Sequence, residues 1–396
     1  MNQPHPLGQL SGLQQLMTQL IEPLSEAECR TPYHRASAPL LWHYGRAAYI
    51  ETLMLRGAVQ GESDLTDRVR HLFEPADPVA PRQWEQLPPK EHLLNWALEL
   101  QEENLMRLAN PDRLPDHPLL QGQRLVHLIN QCRSLIYETM LQVLLERRLQ
   151  LDEPFLCSQP LTASPPRADH QPVSQGHYRV GALDDPAARD NELPPQVVQL
   201  SNFRIDPVPV SNGNYLAFIQ AGGYQESSLW SEEDAAKQRD ADGHGHPHHW
   251  RQDERGEWYG ISLNGPADLV ADEPVMGLTL HEAQAYARWV DAQGGMLAGA
   301  VLQHEYQWEV ARRSQILQQH GRVWEWCSNR FEPYSEYRPE NLPDGGAGQF
   351  DAGHQSLRGG CLHSQPTLRR NSFRHHARPD IAQPFAGIRL VYPPEQ

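Results

Sequence analysis

Hydrophobic residues in the first 160 positions recur three and four apart, which is the spacing of amphipathic helices. The pattern runs through "SGLQQLMTQLIEPLSEAE", "LLWHYGRAAYIETLML", "PKEHLLNWALELQEENLMRLA" and "QRLVHLINQCRSLIYETMLQVLLERRLQ". Four helices of this length predict a helical bundle over residues 1–160. In the last stretch, one stripe at about 100° per residue predicts the core face. That stripe comprises Leu125, Leu128, Ile129, Cys132, Ile136, Met140 and Val143.

The periodicity stops at "CSQPLTASPPRADHQPVSQG", which is rich in proline, serine and glutamine. We assign residues 161–176 to a linker and residues 177–396 to a second domain. Short apolar runs, frequent turn residues and widely spaced tryptophans predict a loop-rich α+β fold there. Two stretches, "TLHEAQAYARWVDAQ" and "LQHEYQWEVARRSQ", predict full helices. Thr279 and Glu282 predict a capping box at the start of the first.

Composition narrows the class of partner. The 396 residues include 34 basic and 50 acidic side chains, a net charge of -16, which argues against nucleic acid or an anionic membrane as the main partner. Five widely spaced cysteines form neither a disulfide framework nor a zinc pattern, and a reducing cytoplasm suits them. The start, "MNQPHPLGQL", lacks a signal-peptide pattern, and no apolar run approaches the roughly 20 residues of a membrane span. We therefore expect a cytoplasmic protein.

The second domain carries an ordered series of segments that point to one family. They are "DNELPPQVVQLSNFRIDPVPVSNGNYLAFIQAGGY", "HPHHW", "EPVMGLTLHEAQAYARWV", "EYQWEVA", "GRVWEWCSNRFEPY", "LRGGC" and "FAGIRLV". In this order they resemble the domain shared by formylglycine-generating enzymes and ergothioneine-type sulfoxide synthases. The helical half, with "LLWHYGRAAYIE", resembles the DinB-type four-helix bundle that precedes this domain in the sulfoxide synthases. The resemblance implies a DinB-like bundle followed by a loop-rich domain of the C-type-lectin-like kind.

The resemblance also implies a non-haem iron enzyme that uses oxygen to join a thiol sulfur to the imidazole of a histidine derivative. The family holds Fe(II) with one histidine of "W-H-x-G-H" and two of "H-E-x-x-H-x-E", because histidines four apart share one helical face. Here His43 occupies the first ligand position. The second motif is "YETMLQV", which keeps Glu138 but has Tyr137 and Leu141 at the two ligand positions and Val143 at the acid. The sequence therefore predicts a degenerate iron site.

A shifted alignment offers one other ligand. It uses His127 and places Gln131 four residues further on, where glutamine is a poor substitute for histidine. The alternative interpretation of His43 is a histidine that caps or packs its helix, and the loss of two family ligands favours that interpretation.

The family's substrate motif has changed as well. An asparagine and an aromatic residue contribute there to the pocket for the histidine substrate, whereas this chain has Arg374, His375 and His376 after Phe373. Adjacent side chains on an extended segment point to opposite faces, so at most one of the two histidines should enter an interdomain pocket. Our candidates for lining that pocket are Tyr137, Arg374, His375 and His376.

Four other features have modest interpretations. The resemblance implies that formylglycine generation uses copper bound by two nearby cysteines. This chain has Cys361 after the "RGG" segment but no second cysteine close to it in sequence, which argues against that activity. The tract "HGHPHHW", which includes His244, His248 and His249, predicts an exposed loop. Residues 190–192, "DNE", fit either a turn or a calcium-type site. The "WEW" of residues 324–326 is expected in the core.

Two functional hypotheses follow, with a third behind them. The first is an iron-dependent oxidoreductase with a changed site, in which Tyr137 supplies an oxygen ligand beside His43. The second is a non-catalytic relative whose interdomain pocket binds a small amino-acid-derived or thiol ligand, or a protein partner. The third is a scaffold that dimerises through the bundle.

Overall fold

In this computed structural model, the described residues are 5–34, 37–74, 81–151, 153–231, 245–340, 342, 350 and 353–395. His244 lies outside them. The architecture is mixed, with a helical N-terminal half and several small sheets in the C-terminal half. In this described part of the chain, no helix is long and apolar enough to cross a membrane.

The N-terminal half is built from long helices with shorter ones between them. In chain order they are α1 (Pro6–Ile21), α2 (Glu26–Arg30), α3 (Leu40–Thr52, continued by a π-helical turn over Leu53–Val59), α4 (Asp64–Phe73), α5 (Pro81–Glu85), α6 (Lys90–Leu108) and α7 (Arg124–Leu149). All seven members of the predicted α7 stripe are buried in one core with α1, α3 and α6. That prediction is confirmed, because a 3.6-residue period fixes which side of a helix is apolar.

A buried ion pair lies inside the bundle. Arg133 Nε donates to Glu51 Oε2 at 2.6 Å, and their side chains are 1% and 0% exposed. The amides of Gln14 and Asn104 donate to the same carboxylate at 3.0 and 3.1 Å. Each hydrogen bond offsets part of the cost of burying the charge. No local pattern predicted this network, since its members come from four helices.

The C-terminal half contains thirteen short strands, three helices and much loop among the described residues. The helices are α8 (Asn212–Gln220), α9 (Leu280–Asp291) and α10 (Glu305–Arg313). The strands are β1 (Gln171–Val173), β2 (Gly176–Val180), β3 (Gln196–Leu200), β4 (Phe203–Ile205), β5 (Trp250–Gln252), β6 (Trp258–Ser262), β7 (Gly265–Asp268), β8 (Val301–Leu302), β9 (Trp324–Arg330), β10 (Gln355–Arg358), β11 (His375–Ala377), β12 (Ala386–Gly387) and β13 (Leu390–Tyr392).

The strands form two four-stranded sheets, in the orders β1-β4-β13-β8 and β11-β10-β9-β12, together with the hairpin β2-β3 and the meander β5-β6-β7. Helix α9 begins with the predicted capping box, in which Thr279 Oγ1 accepts from the Glu282 backbone N–H and Glu282 accepts from the Thr279 backbone N–H. Trp324 and Trp326 are 3% and 0% exposed, as expected for core residues.

The segment assigned to a linker contains regular structure. Residues 171–173 form β1, which pairs antiparallel with β4, and β2 begins at Gly176. The proline-rich composition gave no sign of this strand, because its hydrogen bonds come from β4, about 30 residues further along the chain.

Helix α7 belongs to two cores. Its predicted stripe packs in the bundle, whereas Leu141 and Leu145, on another face, are buried with residues of the C-terminal domain such as Trp324 and Phe373. A helix that is apolar on two faces is typical of an element between two packed layers. The two halves therefore meet along α7.

Candidate functional site

His43 lies in the first turn of α3, and the residue is 8% exposed. Its Nε2 lies 3.2 Å from the Ser37 hydroxyl, and the ring also has a hydrogen bond to the Ala38 backbone. The Trp42 ring contacts it edge-on, with centroids 5.2 Å apart. Burial, followed by the charge of Arg46, lowers the pKa of His43 to about 3, so the imidazole is neutral at pH 7. These contacts match those of a packed histidine.

The other two family ligand positions offer poor donors for iron. Leu141 is 4% exposed. It lies in the core that α7 shares with the C-terminal domain, which we call the interdomain core, and it has no atom that could bind a metal. Tyr137 is partly buried between the two cores, and burial raises the pKa of its phenol, which opposes the tyrosinate form that binds iron. Among the residues described, no three His, Cys, Asp or Glu side chains are arranged to hold a metal. The donor set around His43 does not fit a three-histidine iron site.

Glu138, the motif residue that this chain keeps, has a different partner set. Its Oε2 accepts from the indole Nε1 of Trp324 at 2.9 Å and lies 3.8 Å from the Cys361 thiol. The Cys361 backbone N–H in turn donates to the Ser364 hydroxyl at 2.8 Å. Burial raises the pKa of Glu138 above its usual value, and burial followed by the Glu138 charge raises that of Cys361 to about 12. A protonated, buried thiol is a poor nucleophile and a poor metal ligand.

His375 and His376 are partly exposed and have different neighbours. The His375 ring packs on Trp324, with centroids 4.7 Å apart, and thus lies beside the contact with α7. The His376 ring packs on Phe331 and on His354, at 4.7 and 4.8 Å. Burial is the main cause that lowers the pKa of His375 to about 4 and that of His376 well below its usual value. Both imidazoles are neutral at pH 7.

Arg374 holds the domain together instead of lining a pocket. It is 2% exposed, its Nε and Nη2 donate to the Glu305 carboxylate at 2.8 Å, and its Nη1 donates to the Asn191 carbonyl at 2.7 Å. Its guanidinium also lies over the Tyr334 ring, 4.2 Å from the centroid. Because its donors are taken up by protein groups and it is buried, we expect no ligand contact from it.

His127 also faces the C-terminal domain, but without a metal-like partner set. It is half-buried on α7, and burial lowers the pKa of its imidazole, with Asp185 and Arg370 as the nearest influences. Gln131, four residues on, donates to the Ala187 carbonyl and therefore serves a backbone contact. The structure thus brings neither residue into a common site with His43.

The "DNE" segment is a buried turn. It forms a short 3-10 helix in which Asp190 accepts from the Tyr337 hydroxyl at 2.7 Å. Glu192, 0% exposed, accepts from Arg370 Nη1 at 2.9 Å and from the Ser372 hydroxyl at 2.7 Å. Of the two interpretations of this segment, the hydrogen bonds match the structural turn.

The expectation of an exposed histidine loop is wrong for the residues that the structure describes. His249 is 3% exposed, and His248 Nε2 lies 2.9 and 3.1 Å from the two Glu146 oxygens of α7. Glu146 contacts His248, whereas the His249 ring lies against Gly277 of the C-terminal domain. The local sequence contains no sign of the contact with Glu146, because Glu146 is 102 positions away from His248.

A cleft lies between α7 and the C-terminal domain. Its volume is about 120 Å³, and we call it the interdomain cleft. It is lined by His34, Ser37, Thr139, Gln142, Val143, Glu146, Ile381, Ala382, Gln383 and Pro384. The α7 members are three and four apart, which is the only sequence signal that could have predicted their common face.

A comparison with known protein families decides the affiliation. The model of the sulfatase-modifying factor enzyme 1-like domain matches residues 162–320 and 315–393, which is more than half of the chain. The chain belongs to the sulfatase-modifying factor enzyme 1-like family. The match begins inside the segment predicted as a linker, in agreement with the strand found there.

Proteins similar to this chain include hercynine oxygenases and a formylglycine-generating enzyme. The hercynine oxygenase of Mycobacterium tuberculosis is 32% identical over 257 residues, covering 54% of this chain and 58% of that protein. The hercynine oxygenase of Mycolicibacterium smegmatis is 29% identical, with the same coverage. The formylglycine-generating enzyme of Streptomyces coelicolor is 28% identical over 44% of this chain and 55% of its own length. The chain spans a little over half the length of these relatives.

Solved structures add a weak likeness. PvdO from Pseudomonas aeruginosa covers 60% of this chain and 100% of its own, with 14% identity and a TM-score of 0.41.

Proposed function

We propose that this chain is a hercynine oxygenase-like family member that has lost the iron site and binds a small amino-acid-derived or thiol ligand between its two halves. The observation that carries the proposal is the place of Leu141. A family ligand position holds a side chain without a donor, and that side chain is 4% exposed within the interdomain core. Iron cannot be bound there without undoing this packing.

Two further contacts support the loss of iron. The His43 ring is engaged by Ser37 and by the Ala38 backbone, so its nitrogen has a partner inside its own half of the protein. The raised pKa of Tyr137 opposes the ionised form that would be needed as a substitute ligand. The interface between the halves keeps a cleft, and ligand sites commonly lie at domain interfaces.

The relatives favour a second candidate. Proteins named hercynine oxygenase are up to 32% identical to this chain over about half of it, which favours an iron-dependent oxygenase with an altered ligand set. In that case Tyr137 would act beside His43, and one equivalent of iron would bind.

Metal analysis separates the two candidates. The full chain, purified without chelators and mixed with ferrous iron under anaerobic conditions, should retain far less than one equivalent. The Tyr137→His/Leu141→His variant places two imidazoles four apart on α7 and should gain iron and a metal-dependent rise in Tm. Val143→Glu can be added to orient one ring.

Ligand binding is measured separately by calorimetry with hercynine and with cysteine on the metal-free chain. Binding of either supports the proposed role. Tight iron binding by the parent chain, with oxygen consumption when both compounds are present, would establish the altered enzyme instead.

A further inference from the structure

The interdomain cleft contains a carboxylate with a single direct partner among the described residues. Glu146 is 8% exposed, and only His248 Nε2 hydrogen-bonds to its oxygens. Arg251 is close enough for the Glu146 charge to act on it, but it donates to the carbonyls of His248 and Trp250. Glu146 therefore brings an acidic side chain to the wall of the cleft, with His248 as its one hydrogen-bonding partner there.

Two amides line the same cleft. Gln142 lies one helical turn before Glu146 on α7, and Gln383 belongs to the C-terminal domain. Neither carboxamide has a hydrogen-bond partner in the part of the chain that the structure describes. Each carboxamide has one acceptor oxygen, so both sides of the cleft carry acceptor groups. An ammonium group has three N–H donors and no acceptor, which matches these groups.

The remaining walls suit a short alkyl group. Val143, Ile381 and Pro384 supply apolar surface, and the volume is about 120 Å³. A dry cavity of about 150 Å³ holds benzene, with its six non-hydrogen atoms. The cleft therefore fits an occupant of about five or six non-hydrogen atoms, or one end of a longer molecule.

We propose that the interdomain cleft binds the ammonium end of a small primary amine, with Glu146 as counter-ion and Gln142 and Gln383 as hydrogen-bond acceptors. This inference rests on the proposed ligand-binding function and names the chemical class of the ligand. An α-amino acid derivative with a free amine belongs to that class, whereas a carboxylate or a neutral alcohol does not.

A ligand in the cleft would also lie next to the hydrogen-bond partner of His43. Ser37 lines the cleft, and its hydroxyl lies 3.2 Å from His43 Nε2. An amine that contacts Glu146 on α7 and Gln383 on the C-terminal domain touches both halves. Because it binds only the assembled interface, its binding raises the Tm of the whole chain.

The test uses three four-carbon probes on the full chain at pH 7: butylamine, 1-butanol and butyrate. Their binding is followed by saturation-transfer NMR. We expect butylamine to bind and the other two to bind at least about tenfold more weakly, since a tenfold ratio needs only about 1.4 kcal/mol. Glu146→Gln keeps a hydrogen-bonding group for His248 but removes the charge, and should weaken butylamine about tenfold.

The matched control is Glu153→Gln. Its carboxylate pairs with Arg148 and lies outside the cleft, so butylamine affinity should stay within about twofold of the parent. Ala382→Leu narrows the cleft without changing charge and should abolish binding, which covers the case in which the Glu146 variant folds poorly.

Equal binding of butylamine and 1-butanol, an unchanged affinity in Glu146→Gln, or no binding of butylamine at all would overturn the inference. Hercynine and cysteine binding, measured on the same samples, reports separately on the proposed function. If either binds while Glu146→Gln has no effect on butylamine, only the assignment of the cleft fails.

Discussion

The Trp324 indole donates a 2.9 Å hydrogen bond to Glu138, and this bond joins β9 of the C-terminal domain to α7 of the bundle. Glu138 is the one residue that matches the helical motif expected from the resemblance to the sulfoxide synthases. Its role here is to hold the two halves together at a buried position, 3% exposed.

The first prediction concerns the pH dependence of this contact. Burial raises the pKa of Glu138 above 4.5, so the carboxyl stabilises the fold below pH 4.5 and this contribution is lost as the pH rises through the folded pKa. Glu138→Gln cannot titrate and still accepts from Trp324. Its Tm should therefore rise relative to the parent as the pH rises above 4.5. Glu254→Gln, at an exposed position, should follow the parent at every pH.

The second prediction concerns Asp206, a buried acid that directly follows β4. Burial raises the pKa of Asp206 to about 7 from its usual 3.8. Its contribution to stability is fully present below pH 3.8 and is lost as the pH rises to about 7. At about 1.4 kcal/mol per unit, Asp206→Asn should gain on the order of 4 kcal/mol relative to the parent across that window.

Denaturant titrations at pH 4, 6 and 8 measure this gain. A constant difference between Asp206→Asn and the parent would mean that Asp206 titrates normally in the folded state.

The third prediction tests the core between the halves. Leu141→Ala removes a side chain that is 4% exposed and should cost about 2–5 kcal/mol of the free energy of unfolding, because a cavity is left. Leu98→Ala is the matched control. Leu98 is 42% exposed on α6, so the loss there should be about 0.5 kcal/mol or less. Similar losses for both variants, by chemical denaturation, would contradict the interdomain packing of Leu141.

The fourth prediction concerns the buried Glu192. Arg370→Ala would remove its ion-pair partner while the carboxylate stays 0% exposed, and we expect a loss of about 3–5 kcal/mol. Arg70→Ala breaks a pair with Asp67 that is about half exposed on both sides. That control should cost about 1 kcal/mol or less. A small effect at Arg370 would contradict the inference that the buried Glu192 carboxylate depends on this ion pair.

Local sequence patterns determined much of the fold. The α7 stripe, the capping box of Thr279 and Glu282, and the buried tryptophans of "WEW" were predicted and are confirmed. Each depends on residues within a few positions of one another, where helical period and capping chemistry act directly. The placing of Tyr137 and Leu141 at ligand positions comes from the resemblance of motifs and stays a prediction.

Tertiary structure alone decided what these residues contact. Leu141 joined the core of the C-terminal domain, and Glu146 met His248 across 102 positions of chain. The strand at residues 171–173 formed because β4 supplied its hydrogen bonds. Side-chain partners from distant segments are set by the packing of one element on another. Periodicity identifies which face of a helix is buried, but the element that buries it is specified only in the folded chain.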